Sequence, residues 1–375
     1  MLRGFALLGI LVINIRVFAM PFATLNNPTA YGDFTGLNYF VWLLGHVFAE
    51  QKFITLFTLL FGAGILLFAE GKPDGLVRRL HRRRMAFLLV VGLAHAYLLW
   101  FGDILVPYAI CGFLVLWARH WGPAQLARTG LLLVVVPSLL YVVSGLSLEP
   151  GTQLAAGWAP SEAAIAEEVA TYQGGWVGQL EHRASVAFSQ HTSGLVSNIG
   201  WRTSGLMLVG MALYKWGVLS NDRSTRFYRR LLVAGGVGGL ALILTGVWYI
   251  QSVEWVGREA LFFGSQFNYW GSLALAGAYI AAIMLLSRRL AGGVVTTALS
   301  AVGRTAFSNY LLQTLLATSI FYGHGLGLFG TVSRVEQAGI VVGIWTLQIA
   351  LSVLWLRYYR YGPMEWLWRR VTYGS

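Results

Sequence analysis

Long apolar runs alternate with short polar connections along the chain, and ten of the runs read as helices. They are roughly 3–22, 38–69, 85–101, 104–118, 129–146, 195–214, 231–251, 269–287, 306–322 and 338–356. About 20 apolar residues are enough to cross the roughly 30 Å hydrocarbon layer of a membrane as a helix. The pattern therefore predicts an all-α fold: a polytopic integral membrane helical bundle of about 10 transmembrane helices, with residues 1–375 forming a single transmembrane domain. The run 38–69 is too long for one simple crossing. Residues 38–50 are expected to form an interfacial or re-entrant helix that leads into a span at 53–69. The first run looks like a signal-peptide core, but Asn14 and Arg16 lie in it. A signal core avoids such residues, so the run is read as an uncleaved first span.

Charge orients the bundle. Of the 27 Lys and Arg residues, 21 fall in Arg3, the connections 70–84, 119–128, 215–230 and 288–305, and the C-terminal tail. These connections all lie on one side if each run crosses once. Cytoplasmic connections collect Lys and Arg because these residues resist translocation. An even number of spans then puts both termini in the cytoplasm, and makes 70–84 and 215–230 basic cytoplasmic loops. The net charge of +12 sits beside membrane spans, so topology explains it without nucleic acid. Membrane lipids, through their anionic headgroups, are its natural partners. Mean hydropathy is +0.63 and only 11% of residues are charged, against about 25% in soluble domains. The single cysteine, Cys111, excludes an internal disulfide and a thiolate metal cluster. No HExxH, GxSxG or phosphate-loop context occurs, so no metal is expected.

One connection differs from the rest. Residues 147–194 carry five glutamates against the lone Arg183. Pro160-Ser161 with Glu162 resembles a helix start. Trp158, Trp176 and Phe188 suggest a lid packed over the extracytoplasmic face. The glycines of Gly62-Ala63-Gly64, Gly235-Gly236, Gly238-Gly239 and Gly271 are read as points of close helix approach.

Polar residues inside apolar runs are costly, so they are either functional or paired within the bundle. His95 lies near the middle of span 3 and is the strongest acid/base candidate, because imidazole titrates near working pH. Asp103 follows eight residues later, about 12 Å along a continuous helix and some 80° round it. The two could line one cavity but would touch only across a bend. Arg16, Glu50 and Lys52 lie toward the outer face. Asn198 and Arg202 are four apart on one helical face, and Arg202 would need Asp103, Glu50 or an anionic substrate as partner. Asn309 and Gln313, also four apart, give span 9 a polar stripe that helix–helix hydrogen bonding explains equally well. Arg3 and Asn14 share a face about 16 Å apart. These groups are expected to converge on one enclosed, hydrated chamber that opens outward.

Several motifs together resemble the YeiB-like membrane family, long labelled a domain of unknown function. They are Leu2-Arg3-Gly4-Phe5 with Asn14, Glu50-Gln51-Lys52-Phe53, His95 with Gly102-Asp103-Ile104-Leu105, Gly303-Arg304-Thr305-Ala306 with Asn309 and Gln313, and the tail Tyr361-Gly362-Pro363-Met364-Glu365-Trp366. The resemblance spans nearly the whole chain and is weakest over 147–194. That family is similar to a superfamily of transmembrane acyltransferases, which pair the span 1 arginine with a polar residue eleven positions on. In the glycan-acylating members that residue is a histidine, whereas here it is Asn14. The lysosomal member keeps asparagine and carries its key histidine in the first outer loop, where residues 24–37 of this chain have none. His95 or His46 would have to replace it.

The resemblance implies an acyltransferase of the bacterial cytoplasmic (inner) membrane. Acyl-CoA, as co-substrate, would meet Arg3 and Arg304 from the cytoplasm. His95 and Asp103 would be catalytic. An envelope glycan or lipid acceptor would be met by Asn14, Arg16, Glu50, Lys52, Asn198, Arg202, Asn309 and Gln313. Two other readings stay open. One is a transporter or flippase of an amphipathic or anionic solute, and the other is a structural or regulatory membrane subunit.

Overall fold

The computed structural model describes residues 1–154, 157–290 and 292–374, and every regular element among them is helical. The helices are α1 (Leu2–Ala19), α2 (Gly36–Phe48), α3 (Lys52–Ala69), α4 (Asp74–Ala94), α5 (Leu105–Val115), α6 (Pro123–Leu146), α7 (Glu162–Gln173), α8 (Leu180–Ser189), α9 (Gly200–Lys215), α10 (Thr225–Ser252), α11 (Ser265–Arg289), α12 (Val294–Arg304), α13 (Ala306–Phe321), α14 (Arg334–Tyr358) and α15 (Pro363–Tyr373).

Local chemistry sets the ends. Pro123 opens α6, where its missing N–H costs nothing. Ser333 and Glu336 form a reciprocal capping box at the start of α14. The run 38–69 divides as its length predicts, into α2 and α3. Gln51 sits between them at φ 64°, a left-handed conformation that non-glycine residues rarely adopt.

Among the described residues, six helical stretches are long and apolar enough to cross a membrane: α1, α2 joined with α3, α6, α10, Glu259–Arg289 and α14. α1 is central, with 72% of its apolar window buried; α10 and α14 bury only 22% of theirs and form the wall. What that wall exposes is apolar, for example Val237, Leu244 and Trp248 on α10 and Val342, Leu351 and Leu354 on α14. Water does not solvate such a surface and lipid does, so the chain is an integral membrane protein. Where helices cross most closely, glycine is the reason. A Cβ on Gly62 would lie 2.0 Å from the Met207 carbonyl oxygen, and one on Gly210 would lie 2.0 Å from that of Leu59. Contact this close between α3 and α9 is the membrane mode of packing.

The remaining four expected spans are shorter or more charged than a free-standing crossing. α5 has 11 residues and α9 and α13 have 16 each, while α4 carries five arginines in its first half. α5, α9 and α13 pack at least half of their residues on protein, which tolerates short or polar helices that lipid would not. The connections 70–84, 215–230 and 288–305 are partly helical, since α4 begins at Asp74, α10 at Thr225 and α12 at Val294. One end of the bundle gathers the arginine-rich segments, with α12 against α1 and α15 against α4 and α13. At the other end, residues of the 147–194 segment cover the bundle. The Tyr172 ring of α7 lies tilted against those of Tyr322 and Phe329, and Trp158 donates to the Trp255 carbonyl. Phe188 departs from the expected packing and is 62% exposed.

Candidate functional site

The α-helical hydrogen bonding of α4 ends at Ala94, and His95–Leu99 continue as a π-turn in which the Trp100 N–H bonds to the His95 carbonyl. The chain then breaks before α5. A wider turn and a break supply the bend that eight residues of regular helix lack. They bring Asp103 Oδ1 to 2.9 Å from His95 Nδ1. Gly102 makes the tight return possible, because a Cβ there would sit 2.3 Å from the Trp100 indole. The other carboxylate oxygen of Asp103 accepts from Val106 N–H at 2.7 Å and caps the start of α5. The carboxylate thus holds the Nδ1–H tautomer of His95. The Nε2 lone pair is left facing the Thr314 hydroxyl at 2.9 Å. Both members of the pair are buried. The Tyr310 ring lies against His95, with centroids 5.1 Å apart, and its hydroxyl accepts from Ile104 N–H.

Tyr310 also walls an apolar cavity of about 130 Å³. Phe57, Phe61, Met85, Leu88 and Tyr108 line it. At its far end stand Arg3, Arg84, Glu365 and Trp368. These same four residues line a second cavity of about 390 Å³ at the arginine-rich end, together with Arg304, Arg360 and Arg369. Its one carboxylate is occupied: Glu365 accepts from Phe307 N–H and the Ser308 hydroxyl, capping α13. Five arginines therefore line the second cavity, two of them shared with the apolar one, and a buried His–Asp pair lies behind the Tyr310 wall.

The other expected site residues gather elsewhere. Glu50 Oε2 accepts from Arg16 at 3.5 Å and pairs with His46 Nδ1 at 3.0 Å, and Glu50 Oε1 accepts from Asn268. Lys52 is fully buried and donates to the His46 carbonyl and to Asn268. Of the partners expected for Arg202, neither Asp103 nor Glu50 reaches it. It donates to Gln51 Oε1 at 2.6 Å, to Thr55 and to Ser272, and lies over the Tyr269 ring. Neutral acceptors and an aromatic face take the place of an acid. Its expected neighbour Asn198 lies in the π-helical stretch Gln190–Ile199, which breaks the i,i+4 register. Among the described residues, neither Asn198 nor Asn14 makes a side-chain hydrogen bond. Asn309 and Gln313 act as glue between α13 and α14: Asn309 donates to Ser352 at 2.8 Å and Gln313 to Gln348 at 3.0 Å. The single outward chamber is replaced by two polar centres, with no hydrogen bond joining His95 or Asp103 to the Glu50 cluster among the described residues.

Thr314 and Tyr310 stand beside His95 and were not singled out as site residues from sequence, while Arg84, Arg360 and Arg369 were expected only as part of the inner basic charge. Tyr310 and Thr314 each follow a residue of the Asn309 and Gln313 stripe by one position, about 100° round the helix. The arginines are indistinguishable from topogenic charge until the fold closes them around one mouth.

Residues 213–375 match a family described as protein of unknown function (DUF418). Over its whole length the chain is similar to the uncharacterized protein YeiB of Escherichia coli K12, at 35% identity across 99% of this chain and 94% of the relative. It is also similar to the uncharacterized protein YxaH of Bacillus subtilis 168, at 30% identity across 100% of this chain and 93% of the relative. No solved structure matches it.

Proposed function

The chain belongs to the YeiB-like, DUF418 family of membrane proteins, and from that membership we propose that it is a membrane acyltransferase, taking an acyl group from cytoplasmic acyl-CoA to a glycan or lipid acceptor on the extracytoplasmic side. The observation that carries the reading is the apolar cavity, the five-arginine mouth that shares Arg3 and Arg84 with it, and the His95–Asp103 pair behind the Tyr310 wall. The phosphates of the donor suit Arg3, Arg84, Arg304, Arg360 and Arg369, since charge-assisted hydrogen bonds to phosphate are the strong ones. The apolar lining suits the acyl chain and its thioester.

His95 is set up as a general base. Its Nε2 takes the proton of the acceptor hydroxyl or amine as that atom attacks the thioester carbonyl. The carbon–sulfur bond then breaks, and the proton passes from His95 to the departing thiolate. Asp103 holds the imidazole and stabilises it when charged. Nε2 attacking first, as a transient acyl carrier, uses the same geometry. Tyr310 has to swing aside for either route, as its ring stands between the cavity and the imidazole. The arginine-rich end is cytoplasmic in this reading, the ten helices α1, α3, α4, α5, α6, α9, α10, α11, α13 and α14 cross the membrane, and both termini are cytoplasmic. The bacterial relatives suit a location in the bacterial inner membrane.

The cluster of Arg16, Glu50, Lys52 and Arg202 favours a second reading, a transporter or flippase, because fixed charges at membrane depth also mark translocation paths. Transfer of radiolabelled acyl groups from acyl-CoA to envelope extract by the purified protein in nanodiscs, lowered by about 10²–10⁴-fold in His95→Ala, is the expected result. Solute flux in proteoliposomes without acyl-CoA, unaffected by His95→Ala, would overturn it in favour of transport.

A further inference from the structure

Ten buried side-chain nitrogen and oxygen atoms lack a hydrogen-bond partner among the described residues, and eight of them belong to the 147–194 segment or to Trp100 and Tyr322, which it covers. They belong to Arg183, Tyr172, Tyr322, Gln179, His191 and Trp100. Arg183 is wholly buried. Its Nε–H donates to the Tyr97 carbonyl at 2.9 Å and its guanidinium lies over the Trp176 ring, while Nη1 and Nη2 have no partner. No carboxylate pairs with it among the described residues. The nearby Glu168 is turned to the Phe22 N–H, which it accepts at 2.9 Å. The rings of Tyr172 and Tyr322 lie tilted against each other with centroids 4.8 Å apart, and both hydroxyls are unpaired.

A buried, unpaired guanidinium is among the costliest groups a protein can hold. It persists where something other than the chain neutralises it. Two free Nη groups present a planar fork of donors, the shape that matches a carboxylate or a phosphate. The two tyrosine hydroxyls add donors. Water can satisfy hydrogen bonds here but leaves the charge uncompensated. The position is also telling. Tyr97 lies in the π-turn that begins at His95, so Arg183 is tied to the backbone that places the imidazole. Trp100, whose indole nitrogen is unpaired, has its ring 6.4 Å from that of His95.

We propose that Arg183, Tyr172 and Tyr322 form a binding site for an oxyanion, phosphate or carboxylate, held between the 147–194 segment and the bundle it covers, on the side of His95 away from the arginine mouth. That the oxyanion belongs to the acyl acceptor rests on the acyltransferase reading; the site itself does not. The acceptor class is then an acidic one, a lipid with an anionic headgroup or a soluble sugar or alcohol bearing phosphate or carboxylate.

The test is thermal melting of the full chain in phosphatidylcholine nanodiscs, titrated with inorganic phosphate against sodium chloride of equal ionic strength. A second arm uses nanodiscs containing phosphatidylglycerol. Wild type should gain a saturable rise in Tm from at least one of the two anions. Arg183→Gln should lose it or need at least tenfold more anion, and Tyr322→Phe should weaken it. A shift from phosphate marks a soluble ligand; one from phosphatidylglycerol alone marks a lipid headgroup. Should Arg183→Gln fail to fold, Arg183→Lys keeps the charge and loses the fork, and should bind several-fold more weakly. No shift in wild type, or equal shifts in wild type and the Arg183 variants, overturns the site. Because the assay contains no acyl-CoA, an Arg183-dependent shift without acyl transfer sinks the transfer reading alone, and transfer without such a shift sinks this site alone.

Discussion

The His95–Asp103 site and the Glu50 cluster both bury charge in the bundle, and they do so in opposite ways. Around Glu50, side chains from α1, α2, α3 and α11 meet at one carboxylate and its neighbours, and Arg202 of α9 joins through Gln51. The bonds are spread over five helices and bind them together. Around His95 the bonds are few: one to Asp103, eight residues away, and one across to Thr314 of α13. That pair stands behind the Tyr310 wall of an apolar cavity, while the cluster is saturated by its own members. A network that ties many elements costs stability when broken. A local pair beside a cavity costs chemistry.

The largest effect that could break this comparison is expected at Glu50. Glu50→Ala strips Arg16 of its one carboxylate and leaves His46 and Asn268 without their acceptor, and should cost about 3–5 kcal/mol of stability, read as a large fall in Tm in nanodiscs. A Tm like that of the wild type would remove the structural role. Next is His95→Ala, expected to lower acyl transfer by about 10²–10⁴-fold with a Tm shift well below that of Glu50→Ala. If the two variants lose stability equally, the distinction between the centres fails. Arg304→Gln and Arg369→Gln should each cost about 1.5–3 kcal/mol of donor binding, seen as a raised KM for acyl-CoA with kcat kept. An unchanged KM would separate the arginine mouth from the donor. The smallest change is expected for Arg202→Gln, about 1 kcal/mol of stability with transfer intact. Loss of transfer there would join the two centres into one site.

Much of this was legible in the chain. The apolar runs gave the helices, including the division of 38–69, because a helix in lipid must satisfy its own backbone and so must be long and apolar. His95 and Asp103 stood out because polar groups are rare at such depth. Their contact was not legible, since it depends on a π-turn that no periodicity announces. The partner of Arg202 was misjudged, because a sequence shows which acids exist but not that Gln51, Thr55, Ser272 and Tyr269 surround the guanidinium instead. Arg183 was visible only as the lone arginine of an acidic connection. Nothing linear says that it ends wholly buried.

Composition and spacing alone determined that this is a helical membrane protein, how its arginines are biased to one side, and which few polar residues are expensive enough to matter. Those properties are set by the solvent, and each segment meets the bilayer on its own terms. Which polar groups touch was decided by tertiary structure. Hydrogen bonds act over about 3 Å, and residues such as His95 and Thr314, 219 positions apart, come within that range only when helices far apart in the chain pack together.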